Sequence, residues 1–194
     1  MKNFRNAALV TFALLASSAG LAANLSVDPA HSSITFEAIH LKVSKIPGKF
    51  TDFSGNIDLD EKDFTKSKIN FTVKVASITT AVDKRDEHLR SPDFFDAAKF
   101  PTATFKSSSI KGSGKDFTVD GDLTIRGVTK KASFKVAALG KVQDPAMKAE
   151  KNVFQATGTI NRKDFGVNYG PDEIVSDKIN LAINLEAVAE AKAK

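Results

Sequence analysis

The chain has 194 residues, 42% of them hydrophobic, a formal charge of +5 and no cysteine. Disulfides, thiolate metal sites and a cysteine nucleophile are thereby excluded. The charge is mild and the lysines are scattered, which argues against nucleic acid or an anionic membrane as partner.

Lys2 and Arg5 open the chain, an apolar run follows from Ala7 to Ala16, and Ser17-Ser18-Ala19-Gly20-Leu21-Ala22-Ala23 supplies small residues for cleavage. This is the pattern of a secretory signal, with an apolar core too short to span a bilayer. Residues 1–22 are expected to be removed, by a cut after Ala22 or Ala23. Residues 23–194 are expected to form one exported, soluble domain without stable membrane insertion, large enough to hold a core without staples.

From residue 24 onward the dominant period is two. Ile34, Phe36 and Ala38 alternate with Ser33, Thr35 and Glu37, and Phe53-Gly55-Ile57-Leu59 with Ser54, Asn56 and Asp58. The same alternation runs through 69–75, 117–125, 132–138, 154–160 and 179–185, with turn signals at 111–115, 126–127 and 144–145. Strict alternation gives each strand one wet and one dry face, the mark of an antiparallel sheet. The dry face requires a sandwich or a closed barrel. Long strands, and small residues at inward positions (Gly55, Gly121, Gly158) where bends or a taper need them, favour the barrel.

One segment breaks the pattern. Asp83 to Ser91 predicts a short helix with Asp83 as N-cap and Asp86 and Glu87 in the first turn, stopped by Ser91-Pro92. Phe94, Phe95 and Phe100 then need burial, which a helix and loop folded over one barrel mouth would provide. The polar stretch 144–152 reads as a loose loop, and the Ala/Lys/Glu tail from Glu186 as frayed. No catalytic signature is present, neither a nucleophile elbow, nor a zinc-helix motif, nor a phosphate-cradling glycine loop. His31, His40 and His88 have no metal-ligand spacing, and His31 and His40 read as structural hydrogen-bonding residues.

Several blocks together resemble a known family. They are Asp28-Pro29-Ala30-His31-Ser32 with Ile34, Phe36 and His40; Gly48-x-Phe50 with Phe53-x-Gly55; and Arg85-Asp86-x-His88-Leu89-x-Ser91-x-Asp93-Phe94-Phe95-Asp96 leading into Lys99-Phe100-Pro101-x-Ala103-Thr104-Phe105. Gly121-Asp122-Leu123-Thr124-Ile125-Arg126-Gly127-Val128-Thr129 and Asn161-Arg162-x-Asp164-Phe165-Gly166 complete them. In this order they are similar to the YceI-like proteins. The resemblance implies an all-β fold, an extended lipocalin-like antiparallel barrel of about eight strands with one short helix/loop lid, located in the periplasm. It also implies a cavity that takes a long apolar lipid, an isoprenoid quinone or a polyprenyl pyrophosphate, and hence a binding or carrier role; that the chain is not an enzyme and has no resident cofactor is expected from the missing catalytic signatures.

Fifteen phenylalanines stand against one tyrosine and no tryptophan, and only Phe4 and Phe12 lie in the leader. Two readings fit: a packed core, as in a stress-response or interaction module, or an apolar lining that offers a lipid no hydrogen bonds. Burying about 400 Å² of chain would contribute roughly 10 kcal/mol before ordering costs. The candidate lining is Phe36, Phe53, Ile57, Phe71, Val73, Phe105, Phe117, Val119, Leu123, Phe134, Val136 and Phe154. Arg85, His88, Arg126 and Arg162 are the candidates for a head-group site at the mouth, because guanidinium forks suit phosphate and carbonyl oxygens. The competing reading pairs Arg85 with Asp83 or Asp86. No metal site is expected, and the partner is a lipid or quinone held by a monomer or a homodimer.

Overall fold

The computed structural model describes residues 23–189. The expected leader therefore lies outside the described residues, as does the end of the tail, 190–194. Eleven strands form one closed antiparallel sheet. They are β1 (Ala23–Val27), β2 (Ser33–His40), β3 (Ser44–Phe50), β4 (Phe53–Leu59), β5 (Lys68–Lys74) and β6 (Ile78–Thr79), then β7 (Thr102–Ser113), β8 (Asp116–Ile125), β9 (Val128–Asp144), β10 (Ala149–Asn161) and β11 (Lys178–Ala189). One helix, α1 (Asp83–Arg90), lies between β6 and β7.

Three pairs of these strands are single staves broken by a kink: β1/β2 at 28–32, β3/β4 at 51–52 and β5/β6 at 75–77. What results is an eight-stranded, up-and-down barrel. It closes where β11 pairs with β2 through its first half and with β1 through its second. The turns at 41–43 and 126–127 and the segments 80–101 and 162–177 gather at one end. The turns at 60–67, 114–115 and 145–148 gather at the other. No ladder joins β6 to β7 among the described residues, and the segment between them folds over the opening as a lid.

Alternation sets the barrel wall. Along β4, Phe53, Gly55, Ile57 and Leu59 are buried while Ser54, Asn56 and Asp58 face water. This apolar-in, polar-out order is the reverse of a bilayer-spanning barrel. The inward glycines are beds for rings rather than sites of bending. A Cβ on Gly48 would meet the Phe36 ring at 2.1 Å, one on Gly55 Phe71 at 2.5 Å, one on Gly121 Phe105 at 2.4 Å and one on Gly158 Phe134 at 2.7 Å. Each large ring thus lies across a strand that has no side chain to lift it.

Three expectations need correction. Val82, not Asp83, occupies the N-cap of α1, without a side-chain cap bond. Asp86 holds the entrance instead, accepting from Thr80 N and Oγ1 and from Thr79 Oγ1. Burial pushes its carboxyl up, but the Thr80 and Thr79 bonds outweigh this and keep it below the ordinary carboxylate range. The stretch 144–152 is no loose loop. β9 runs to Asp144, β10 starts at Ala149, and Lys141 pairs with Glu150 across the hairpin. Nor does Glu186 begin a frayed tail, since Glu186 to Ala189 complete β11.

Candidate functional site

The barrel encloses a cavity of about 230 Å³. Of the expected lining, Phe36, Ile57, Phe71, Val73, Phe105, Val119, Leu123, Phe134, Val136 and Phe154 line it. Phe53 is buried in the core beside it, and Phe117 lines a separate chamber. Sequence reasoning passed over Ile34, Phe50, Phe64 and the inward row of β11, Ile179-Leu181-Ile183-Leu185. That row was legible as an alternating strand and only its place against the cavity was not. Thr104 and Arg162 are the residues of polar type along it, and Thr104 is an outward position of β7 between inward Ala103 and Phe105. A wall of this kind can enclose an apolar chain and offers it area and shape rather than polar recognition. It presents no carboxylate, imidazole or thiol that could move a proton.

The lid closes one end. Leu89 of α1 and Phe94 and Phe95 of the following loop reach the cavity, and the Phe95 ring packs edge-on against Phe50 at 6.4 Å. Phe100 stays outside the cavity, half-buried over Gly127. His88 packs edge-on against Phe94 (5.0 Å) and Tyr169 (4.7 Å), and its Nε2 lies 2.9 Å from Asp93 Oδ2.

The arginines of this end hold its loops. Arg162 is 5% exposed. Its Nε donates to Ser176 O, Nη1 to Val167 O and Tyr169 O, and Nη2 to Gly170 O, Val175 O and Asp177 Oδ1. All five N–H groups are thus engaged within the chain. Burial lowers its pKa, and Asp177 and Asp172 oppose that. Arg85 binds Thr80 Oγ1 and Thr80 O instead of pairing with Asp83 or Asp86. Arg90 donates to Ala76 O and Ile78 O. Arg126 ties the lid to the 162–177 segment by donating to Pro92 O and Gly166 O. Its Nε is buried without a partner among the described residues, but Arg126 does not line the cavity.

A further cluster escaped the sequence reading. Lys151 is 2% exposed and its Nζ lies 2.9 Å from each of Asp28 Oδ2, Asp144 Oδ2 and Glu186 Oε2. Bonds to Glu186, Asp144 and Asp28 push this ammonium above its ordinary pKa, and the Lys151 bond holds the Asp28 carboxyl at about 2 against the effect of burial. His31 Nδ1 completes the cluster, 2.7 Å from Asp28 Oδ2. Asp28, His31 and Glu186 bring potential ligand atoms within 4.8 Å of one another, and the Lys151 ammonium supplies the positive charge there. Asp28 Oδ1 also accepts from Ala30 N, and Ser32 Oγ from Glu186 N, so the motif 28–32 clips the kink of the first stave to β11.

Closed meander, dry interior and covered mouth define a lipocalin-like barrel. The chain belongs to the YceI-like family, whose domain description matches residues 25–187. It is 38% identical over 187 residues to the protein YceI of Escherichia coli O17:K52:H18, covering 93% of this chain and 96% of the relative. Among solved structures it is similar to BcnA of Burkholderia cenocepacia, with a TM-score of 0.73, 27% identity, and coverage of 82% of this chain and 98% of that one. A polyisoprenoid binding domain from Saccharophagus degradans, implicated in plant cell wall breakdown, shares the fold with a TM-score of 0.64, 17% identity, and coverage of 87% and 99%.

Proposed function

We propose that this chain is an exported, soluble carrier or buffer for a long isoprenoid lipid, held in the barrel cavity, working in the periplasm. The observation that carries this reading is the cavity wall, in which rings bedded on glycines and the inward row of β11 surround a space almost without polar groups. The Saccharophagus domain of the same fold is described as binding a polyisoprenoid, a ligand chemistry that such a wall suits. Contact area alone is a sufficient source of affinity for so apolar a chain.

The test is native mass spectrometry of the protein purified from the periplasm of its own host, with the solvent extract identified. A stoichiometric adduct with a prenyl fragmentation ladder is expected. A bare mass, with no uptake of added quinone or prenyl alcohol, would overturn the reading and return the phenylalanines to core duty.

A further inference from the structure

We propose that the lid end of the barrel docks reversibly on a zwitterionic lipid surface, with Leu41, Val43 and Ile174 entering the boundary between head groups and acyl chains. This rests on the carrier reading and adds to it the partner with which cargo is exchanged and the face that meets it.

The turn 41–43 joins β2 to β3 at the lid end, and in it Leu41 is 51% and Val43 79% exposed. Leu41 N donates to Ile174 O at 3.0 Å and His40 bridges to Val175, so the turn lies against the 162–177 segment, where Ile174 is exposed as well. Tyr169 of the same segment is half exposed and packs on His88 and Phe94 of the lid, at 4.7 and 5.0 Å. The apolar rim is thereby continuous with the cover of the cavity, the part of its enclosure that stands outside the sheet. Val82, at the N-cap of α1, and Val128, after the turn at 126–127, add further exposed apolar surface at this end. Apolar side chains exposed singly need no explanation, but a group of them around the mouth of an apolar cavity marks an interaction face.

Neither the core nor the backbone accounts for the sequence of this turn. Val43 contributes almost nothing to packing at its exposure. Leu41 and Lys42 both hold left-handed φ angles, 50° and 61°, a conformation for which hairpin turns favour glycine or asparagine. A polar turn would serve the fold at least as well, so the two apolar side chains point to a partner outside it.

Charge narrows that partner to a lipid surface with neutral head groups. Lys42 pairs with Asp172, Lys45 lies 3.3 Å from Glu37 and Lys163 lies 2.9 Å from Asp177. With each of these ammonium groups held by a carboxylate, the rim has no polybasic hold on an anionic leaflet. A zwitterionic surface asks for no such hold, and apolar side chains that cross its head groups supply the attraction. Tyr169, the single tyrosine of the chain, joins an apolar ring to a polar tip, the combination that settles at head-group level. So few side chains give shallow, reversible contact rather than insertion, which suits a carrier that must leave the surface again.

Two experiments test the assignment. The chain has no cysteine, so single thiols can carry an environment-sensitive nitrobenzoxadiazole dye. On Val43→Cys the dye should brighten and shift to the blue when phosphatidylcholine vesicles are added. On Met147→Cys, equally open to water in the β9–β10 turn of the opposite end, it should not respond. A silent dye at 43, an equal response at 147 or a response that requires phosphatidylglycerol overturns the inference. So does a response that grows with protein concentration in the absence of vesicles, which assigns the rim to a second copy of this chain. In a transfer assay, a fluorescent isoprenoid alcohol should pass from the wild type to phosphatidylcholine vesicles about tenfold faster than from Val43→Asp, the worth of burying one such side chain. Both proteins should retain the alcohol equally when vesicles are absent, and equal transfer rates overturn the inference. A wild type that takes up no isoprenoid in solution sinks the carrier reading instead, and the dye at 43 still decides whether the rim meets a bilayer.

Discussion

Gly55→Ala tests the ring-on-glycine packing that shapes the cavity. The new Cβ would lie 2.5 Å from Phe71 Cε1, where ordinary contact begins at 3.4 Å, so the ring must retreat by about 0.9 Å. Phe71 is only half-buried and borders the cavity, so it has space to enter. Overpacking costs about 1–3 kcal/mol, and alanine returns about 0.5–1 kcal/mol through the smaller entropy of the unfolded chain. The net loss is about 1 kcal/mol. Gly121→Ala should be worse, about 3 kcal/mol, because its Cβ meets the Lys106 carbonyl oxygen at 2.5 Å as well as the Phe105 ring, and a backbone cannot rotate away. Urea midpoints of a double-mutant cycle separate the two cases. With Phe71→Leu in place, Gly55→Ala should become neutral or stabilising. With Phe105→Leu in place, Gly121→Ala should still cost stability, since the carbonyl remains. Additive behaviour of Gly55 and Phe71 would refute the idea that this glycine exists to seat that ring. The displaced ring should also reduce uptake of a long isoprenoid by Gly55→Ala.

The Lys151 cluster sets an acid limb. Asp28, at about 2 when folded against 3.8 ordinarily, stabilises the fold fully above about pH 4, and that contribution is lost as pH falls toward 2. Lys151, raised above 10.5, contributes below that value and loses its contribution as pH rises beyond it. Lys151→Met leaves three carboxylates facing one another, so its urea midpoint should rise as pH falls from 7 to 4, opposite to the wild type below 4. A parallel pH profile in the variant refutes the cluster's role. Arg162→Lys should cost about 3 kcal/mol or more, because an ammonium cannot span six acceptors, and hydrogen exchange should speed up across 166–177 while β8 and β9 stay protected. Unchanged exchange there would show that the loop holds itself. Ala103→Glu places a carboxyl in the dry cavity, where its pKa rises. Lipid retention should fall with circular dichroism unchanged, and full retention would place the lipid elsewhere.

What the sequence made legible follows from where side chains report their environment. β4, β8 and β11 were readable because inward Phe, Ile, Val and Leu face outward Ser, Asn, Asp and Thr. β3 was not, because its buried inward position is Gly48, a residue without a side chain to mark the period. β7 was hidden by inward Ser107 and by the bulge at Ser108, which shifts the phase before Ile110. The 144–152 stretch looked like loop because Lys151 is a charge buried by partners 123 and 35 residues away, contacts that no local pattern encodes. The mouth arginines were visible as residue types. Whether a guanidinium faces a ligand or a neighbouring carbonyl is decided by loops whose paths periodicity does not describe.

That last distinction bears on how the barrel handles polarity. The lid end is made of segments outside any ladder, so its carbonyls must find donors elsewhere. One arginine with five N–H groups satisfies many of them from a single buried position, and Arg162 does so while its stem lines the cavity. Arg90 and Arg126 perform the same task for 76–78 and for Pro92 and Gly166. The lid end therefore spreads its positive charge over backbone dipoles, where it seals. At the opposite end the β7–β8 and β9–β10 turns are short and carry the ladder almost to their tips, and the staple there is Lys151, an ammonium shared by the carboxylates of Asp28, Asp144 and Glu186. Among the described residues, the buried side-chain nitrogen left without a partner is at the lid end, Arg126 Nε, inside the same set of staples.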